Sequence, residues 1–442
     1  MLLGAVSCTH APASVTTDPL ATDEATPTST VSEATDAPAT ASPVTDPVTD
    51  APATEPVTNP VTDAPVTEPV TEPATEPVTE PVTEPVTEPV TEEVKVEEPR
   101  QQLENYPASQ VRHVFTHCLI AYPEQGCGYK GAPLDADCLT VSEFVAILES
   151  LYEKGYSLID INDMYENYTD TDGTVKARLK DYVQVPVGRK PLVLSIDDVV
   201  YDSRKSDWGM VDRLIIHNGT IMCVGYNNGK EEINDLDVFP QLEKFIAEHP
   251  DFSTNGAKCT IALTGFQGIL GYRTDESFAE EGIDYMAERE KVKPVIAWLK
   301  ENGYNFASHT FFHRDLATCA QDVVDEDIIA WNRNVKPLIG ETQILVYPYG
   351  AFTYYGSETH TKLLGEGFTV FCGTSSTNCL WDGMFPKQGG GIATNVGNIY
   401  LERYTITGVT LRTWAEKSHI YEYFDPYEIY DHEARYEELV KP

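Results

Sequence analysis

The sequence predicts an α/β protein whose parallel strands close into a barrel, preceded by a long segment without regular structure. Two observations lead to the barrel. Short apolar runs alternate with amphipathic segments from about residue 106 onward, and about seven such repeats fit into the remaining length. Alternation of strands and helices implies parallel pairing, and this many repeats favour a barrel over an open sheet. A third observation sets the first hundred residues apart, because they are repetitive, acidic and rich in Pro.

Residues 1–8 are similar to the end of a bacterial lipoprotein signal, because small residues precede Cys8. The positively charged part and most of the apolar part of such a signal are missing. The alternatives are a lipid anchor at Cys8 and a free Cys in an unstructured terminus. Residues 9–105 are acidic and rich in Thr and Pro, and the unit Thr-Glu-Pro-Val recurs from Thr54 onward. A four-residue period with Pro suits neither helix nor sheet. We expect an extended spacer, with a passive disordered tail as the alternative.

The charge of the chain excludes some partners. The net charge is −39, and the first hundred residues contain 19 carboxylates against Lys95 and Arg100. Nucleic acid is therefore not expected to bind, and an anionic membrane surface would repel the chain. No run of 18 apolar residues is present, so no membrane-spanning helix is predicted. The nine Cys contain no Cys-x-x-Cys pair, so a thiolate metal site is not predicted either.

Residues 106–442 form the predicted globular domain. Its strands are short apolar runs, and Asn218-Gly219 between two of them predicts a hairpin. The predicted strands are 111–120, 157–161, 192–196, 214–226 as a hairpin, 259–263, 305–307, 343–347 and 368–372. Its helices are amphipathic, with Thr140 opening the first and Gly303 and Gly340 closing two others. The predicted helices are 141–154, 238–248, 285–302, 326–339 and 359–364. From residue 374 onward, the pattern predicts Gly-rich loops and short strands.

Two adjacent carboxylates, Asp197 and Asp198, directly follow the apolar run 191–196. Such a run is typical of a strand that is buried on both faces of a parallel sheet. In α/β sheets and barrels, ligands bind at the carboxyl ends of the strands. A single Asp there is commonly a helix cap or a turn residue. Two together favour a functional site.

Two histidines four residues apart, His309 and His313, follow the strand-like segment 305–307. They could bind one metal ion if the turn between them is helical. In a chain with ten His, two ordinary loop or core histidines are the alternative. The metal-site interpretation is favoured because all strand carboxyl ends of a parallel barrel lie on one face. Two imidazoles and one carboxylate would then form a three-ligand metal site with a position left for water.

A third strand-like segment ends in Tyr347-Pro348-Tyr349-Gly350. A rigid Pro followed by a Gly turn can expose a backbone N–H at the same face of the barrel. Such a donor can stabilise an oxyanion. The alternative is a simple strand terminator.

In this order, the three motifs resemble those of the polysaccharide deacetylase family, which is carbohydrate esterase family 4 with its NodB-homology domain. Ser195-Ile196-Asp197-Asp198-Val199 resembles the family motif Thr-Phe-Asp-Asp-Gly, and His309-Thr310-Phe311-Phe312-His313 matches His-Ser/Thr-x-x-His. Tyr347-Pro348-Tyr349-Gly350 matches the end of Arg-x-Pro-Tyr-Gly. The resemblance covers roughly residues 110–375, which we take as the core of the domain.

The resemblance implies a distorted (β/α)7 barrel and assigns roles by position. Asp198, His309 and His313 would hold one divalent ion, which is usually zinc in this family. Asp197 would be the general base, and the backbone N–H of Tyr349 would help to bind the oxyanion. Tyr347 and Pro348 are expected to contact the substrate. The implied reaction removes acetyl groups from an N-acetylated or O-acetylated polysaccharide.

The sequence departs from the family pattern at three places. Val199 replaces a Gly, and Val346 replaces an Arg that orients the catalytic Asp. Arg403 is our candidate for the missing Arg and for a substrate contact. The Leu-x-His motif that supplies the general acid is not recognisable after residue 375. His117 is the candidate acid or substrate contact, with a structural strand-end His as the alternative, and His419 is the second candidate.

These predictions combine into a secreted or cell-surface deacetylase on a long acidic tether. The alternative is a non-catalytic protein that keeps the barrel and binds or displays glycans. Metal content separates the two, because only the enzyme needs the ion.

Overall fold

The computed structural model describes residues 101–125, 133–375, 380–413, 415, 417 and 419–435. The predictions for the tether and for Cys8 lie outside the described residues. The strands that it describes are β1 (Leu103–Pro107), β2 (Arg112–His117), β3 (Tyr156–Leu158), β4 (Tyr165–Thr169), β5 (Val175–Leu179), β6 (Tyr182–Pro186), β7 (Lys190–Asp197), β8 (Arg213–His217), β9 (Thr220–Asn227), β10 (Lys230–Asn234), β11 (Cys259–Leu263), β12 (Asn305–Ser308), β13 (Ile344–Val346), β14 (Val370–Thr374), β15 (Leu380–Pro386) and β16 (Ile392–Thr405). The α-helices are α1 (Pro133–Asp137), α2 (Val141–Glu153), α3 (Ser203–Ser206), α4 (Val238–Glu248), α5 (Tyr285–Glu301), α6 (Gln321–Asn334), α7 (Lys336–Ile339), α8 (Glu358–Gly365), α9 (Gly408–Thr413) and α10 (Pro426–Ile429).

Seven parallel strands form a closed barrel, in the order β2, β7, β11, β12, β13, β14 and β16. Their order around the barrel is their order along the chain. Pairing of Tyr404 with Val114 joins β16 to β2 and closes the ring. The barrel is uneven, because β13 has only three residues and pairs with β12 through Ser308 and Leu345. The predicted distorted (β/α)7 barrel is confirmed.

Alternate residues of each barrel strand face the interior and the surrounding helices. In β7, Val193 belongs to the cluster inside the barrel, whereas Leu194 and Ile196 pack in the larger cluster with the helices. In β16, Leu401 belongs to the interior cluster and Tyr404 to the outer one. This two-residue period directs side chains at the carboxyl ends of both strands toward the same space.

The local signals of the sequence placed most elements correctly. Thr140 caps α2 as predicted, and its side chain and that of Glu143 form a capping box. The helix α4 and the strand β11 have the predicted bounds. The predicted hairpin forms with Asn218 and Gly219 at positive φ, and β10 extends it to three strands.

Two predictions about elements were wrong. The helix predicted over 326–339 is divided into α6 and α7, because Pro337 in the first turn of α7 has no backbone N–H with which to continue the hydrogen bonds of α6. The helix also begins earlier than predicted, since Ala320 at its N-cap makes no side-chain cap that could mark the start.

No helix in the described part of the chain is both long and apolar enough to cross a membrane.

The prediction of loops and short strands after residue 374 was also wrong. The strand β16 has 14 residues and contributes to the barrel, so the core extends past residue 375 to Thr405. Asn395 and Gly397 have positive φ and lie between its outer half and its barrel half. They interrupt the alternation that would have predicted a strand.

Candidate active site

Three potential metal ligands meet at the carboxyl end of the barrel. One ligand atom from each of Asp198, His309 and His313 lies within 4.8 Å of the other two. Within the described residues, this is the one group of three or more His, Cys, Asp and Glu that meets this criterion. The Nε2 atom of His313 is 3.8 Å from Oδ2 of Asp198. The structure therefore brings together the residues that the motif resemblance selected.

The backbone that presents these ligands is not helical. Asp198, Thr310 and His313 have φ of 58°, 56° and 54°, in the left-handed region that side chains with a Cβ rarely adopt. The condition that a helical turn separates the two histidines is thus not met. Such backbone costs on the order of 1–3 kcal/mol per residue and persists only where neighbouring contacts enforce it.

A buried carboxylate of α6 supplies such contacts. Asp327 accepts hydrogen bonds from the backbone N–H of Phe311 at 2.8 Å and of Phe312 at 2.9 Å. Burial raises the pKa of Asp327, although both N–H donors act in the opposite direction. This residue was not identified from the sequence, because nothing local connects it to a loop that lies about fifteen positions earlier.

Both histidines are held through Nδ1. Nδ1 of His309 is 2.9 Å from the carbonyl oxygen of Val346, and Nδ1 of His313 is 3.1 Å from the hydroxyl of Tyr349. A carbonyl can only accept, so Nδ1 of His309 carries a proton, and Nε2 is the nitrogen left to bind a metal. Metal-binding histidines commonly have an outer partner of this kind.

Asp197 lies next to the ligands and is clamped by Arg403. Nη1 and Nη2 of Arg403 donate to the two carboxylate oxygens at 2.8 and 2.9 Å. Both side chains are buried, and the guanidinium also lies over the ring of Phe115, 4.0 Å from its centroid. Oδ2 of Asp197 is 3.9 Å from Nε2 of His309. Arg403 thus occupies the orienting position for which the sequence analysis proposed it, but as a fully buried residue it is not exposed to substrate.

The charges at this end of the barrel keep both carboxylates ionised. Burial alone would raise the pKa of Asp197, but Arg403 and His309 more than offset it and lower the pKa to about 2. Burial also acts on Asp198, yet the neighbouring His309, His313 and His117 leave its pKa below the ordinary value. For His313, burial lowers the pKa in spite of the attraction of Asp198.

The two candidate acids lie in different places. His117 ends β2, pairs in register with Asp197, and Nδ1 lies 2.9 Å from the carbonyl oxygen of Asp137. The pKa values of Asp197 and Asp198 are lowered in part by His117, so it belongs to the site. His419 instead packs edge-on against Tyr404, on the outer face of β16. His419 is therefore not a candidate acid.

The third motif contributes Tyr349 to the site and Tyr347 to the core. Tyr349 is 73% exposed, in the turn Pro348–Gly350. Tyr347 is buried, stacks on Phe371 and bonds through its hydroxyl to Thr353. Pro348 is buried as well. The predicted substrate contact through the Tyr347 side chain is thus not supported by its position.

The residues present fit a divalent ion of the zinc type. Zinc binds imidazole nitrogens and carboxylate oxygens, and its catalytic sites use three protein ligands with one position left for water. Two histidines and one aspartate at mutual reach form such a set. The outer partners of both histidines complete it.

A cavity of about 1010 Å³ lies elsewhere, between the turn Glu276–Glu281 and α6. Phe312 and Ile329 contribute apolar surface to it, and several carboxylates surround them. None of Asp197, Asp198, His309 and His313 lines this cavity, so it is not the candidate reaction site.

Solved structures similar to this chain include bacterial deacetylases. The Streptococcus pyogenes deacetylase PplD in complex with acetate is 14% identical with a TM-score of 0.34, covering 70% of this chain and 94% of that chain. The closed barrel and the order of the three motifs in this chain resemble those of the polysaccharide deacetylases. IcaB from Ammonifex degensii is 11% identical with a TM-score of 0.33, covering 68% of this chain and 93% of that chain.

A Mycobacterium smegmatis protein described as a polysaccharide deacetylase is 12% identical with a TM-score of 0.24, covering 40% of this chain and 47% of that chain. No protein-family model and no curated protein matches the chain. Because the TM-scores of these structures are low, the resemblance to the polysaccharide deacetylases depends on the strand order and the side chains of this chain.

Proposed function

We propose that this protein hydrolyses acetyl groups from an acetylated polysaccharide with the help of one divalent metal ion, zinc in the first instance. The observation that carries the proposal is the meeting of Asp198, His309 and His313 beside a carboxylate clamped by an arginine. One of the similar structures, PplD, is described as a deacetylase, which agrees with this reaction.

Each residue of the site has a part in this proposal. Asp198, His309 and His313 hold the ion, which supplies Lewis acidity and activates water. Asp197 stays ionised and accepts the proton of the attacking water, while Arg403 fixes both of its oxygens. A pKa near 2 makes Asp197 a weak base, so it holds the proton taken from water only transiently.

Two further groups complete the reaction. The backbone N–H of Tyr349 is the proposed donor to the oxyanion, and His117 is the proposed acid that protonates the leaving group. His117 suits this part because it ends β2 directly beside Asp197.

The openness of the site favours a polymer as substrate. Tyr349 is mostly exposed, and the side chains of Asp198 and His313 each keep 23% of their exposure. A glycan chain can therefore lie across the end of the barrel. From the acidic, Thr- and Pro-rich segment of residues 9–105, we propose that the protein acts on polysaccharide at the cell surface, with Cys8 as a lipid anchor.

Metal content and acetate release test the proposal together. Purified protein should contain about one zinc-class ion per chain and release acetate from at least one glycan in a panel of N-acetylated and O-acetylated polymers. The double variant His309→Ala/His313→Ala should lose both properties. His217→Ala/His432→Ala removes two histidines outside the site and should lose neither. If the protein binds no added zinc or cobalt and releases no acetate from any glycan, the proposed enzymatic function is wrong and the non-catalytic alternative remains.

Asp197→Asn separates the base from the ligands. The variant should keep the metal and lose about 10²–10⁴-fold in turnover, because the proton acceptor is removed while the three ligands remain. Equal loss of metal and turnover would show that Asp197 is a ligand instead.

A further inference from the structure

The end of β13 and the turn that follows it contact both candidate metal-binding histidines at the same ring atom. Val346 accepts from Nδ1 of His309, and the hydroxyl of Tyr349 lies 3.1 Å from Nδ1 of His313. In both rings the remaining nitrogen, Nε2, faces a carboxylate. Nε2 of His309 is 3.9 Å from Oδ2 of Asp197, and Nε2 of His313 is 3.8 Å from Oδ2 of Asp198. One short segment therefore determines the orientation of two rings that belong to a different loop.

The backbone of this segment holds Tyr349 in place. Tyr349 has φ of 59°, and Gly350 follows with φ of 67°. A Cβ on Gly350 would lie 2.6 Å from Oγ1 of Thr374, so the chain is closely packed against β14 at this point. A turn confined in this way directs the phenol toward His313.

The exposure of Tyr349 indicates what the side chain does. With 73% of its surface exposed, the ring gains little from burial. Its described contacts are the hydroxyl bond to His313 and an edge-to-face packing of the two rings, whose centroids are 4.7 Å apart. A side chain with these contacts acts on the histidine and not on the core.

We propose that the Tyr349 hydroxyl is a positioning group that accepts a hydrogen bond from Nδ1–H of His313 and so directs Nε2 toward the metal position. This role is separate from the part of the Tyr349 backbone N–H in the reaction, and it rests on the proposed metal site. It requires a tyrosine side chain at this turn, whereas the backbone role could be filled by any residue.

Tyr349→Phe is the direct test, because it keeps the ring and the backbone and removes only the hydroxyl. Affinity for Co²⁺, measured by competition with a chelator, should fall about 10-fold, as is typical when an outer partner of a ligand is lost. The visible absorption of the bound Co²⁺ should change as well. Tyr354→Phe is the matched control in the same loop, where the ring packs edge-on against Phe352. It should match the unsubstituted protein in both measurements.

The imidazole ¹⁵N shifts of metal-free protein provide a second measurement that does not depend on the ion. His313 should carry its proton on Nδ1 in the unsubstituted protein and become a mixture of tautomers in Tyr349→Phe. Unchanged Co²⁺ affinity and spectrum in Tyr349→Phe would overturn the inference while leaving the proposed function intact. Failure of the unsubstituted protein to bind Co²⁺ would overturn both.

Discussion

At the level of single residues, the pairing of Asp197 with Arg403 decides the state of the candidate base. Arg403 reaches both carboxylate oxygens in a bidentate arrangement that a lysine could not reproduce. Because both side chains are buried, loss of either partner would leave an uncompensated charge in the interior.

This pair predicts a pH dependence of stability. The pKa of Asp197 is about 2 in the folded protein, because Arg403 and His309 outweigh burial, whereas an unfolded Asp titrates near ~3.9. The folded-state pKa is the lower one, so the stabilisation is fully present above about pH 4 and is lost as the pH falls toward 2. It amounts to about 2–3 kcal/mol.

Urea unfolding of the unsubstituted protein and of Asp197→Asn measures this contribution. The difference in free energy of unfolding should be large at pH 7 and should shrink between pH 4 and pH 2.5. Asp170→Asn, at a surface carboxylate paired with Lys176, is the control and should show a small difference throughout. A difference that does not change with pH would contradict the assigned pKa.

At the level of elements, the loop His309–His313 depends on α6. Two charge-assisted hydrogen bonds from backbone N–H groups to Asp327 hold the backbone between the histidines, where Thr310 and His313 adopt left-handed conformations. The sequence marked the histidines, since they follow a strand directly. It did not mark Asp327, because its partners are backbone N–H groups, which carry no residue-specific signal.

Asp327→Ala should therefore weaken metal binding although it replaces none of the three ligands. Two buried N–H donors lose their acceptor, which should lower the free energy of unfolding by about 2–3 kcal/mol. Metal affinity, measured by chelator competition, should fall with it because the loop is no longer restrained. Asp325→Ala on the same helix is the control, since that carboxylate pairs at the surface with Lys362. Undiminished metal affinity in Asp327→Ala would show that the loop holds its shape without α6.

At the level of the whole molecule, the C-terminal segment is tied to the first helices by Arg435. Its guanidinium bonds to the carboxylate of Glu143 in α2 and to the carbonyl oxygens of Asp135 and Cys138. Arg435 and Glu143 are both fully buried. Glu143 also completes the capping box of α2, so one carboxylate serves a local and a long-range contact.

Arg435→Ala should destabilise the fold by about 3–5 kcal/mol, because Glu143 would remain buried without its partner. Metal affinity should stay that of the unsubstituted protein, since Arg435 contacts none of the three ligands. Thermal unfolding and chelator competition check the two expectations. Arg178→Ala, at the exposed pair with Glu166, should change neither. Loss of metal affinity in Arg435→Ala would mean that the C-terminal segment supports the site.

The sequence alone determined the alternation of strands and helices, the strand-end positions of the three motifs, and the set Asp198, His309 and His313. The alternation and the strand-end positions follow from caps, turns and apolar periodicity, which act over a few residues. The three potential ligands were selected by the resemblance of the motifs to a known family. The structure alone decided that β16 closes the barrel and that Arg403 meets Asp197 across 206 positions of the chain. Local patterns cannot encode that meeting, because it depends on which strands become neighbours and on which alternate side chains then point inward.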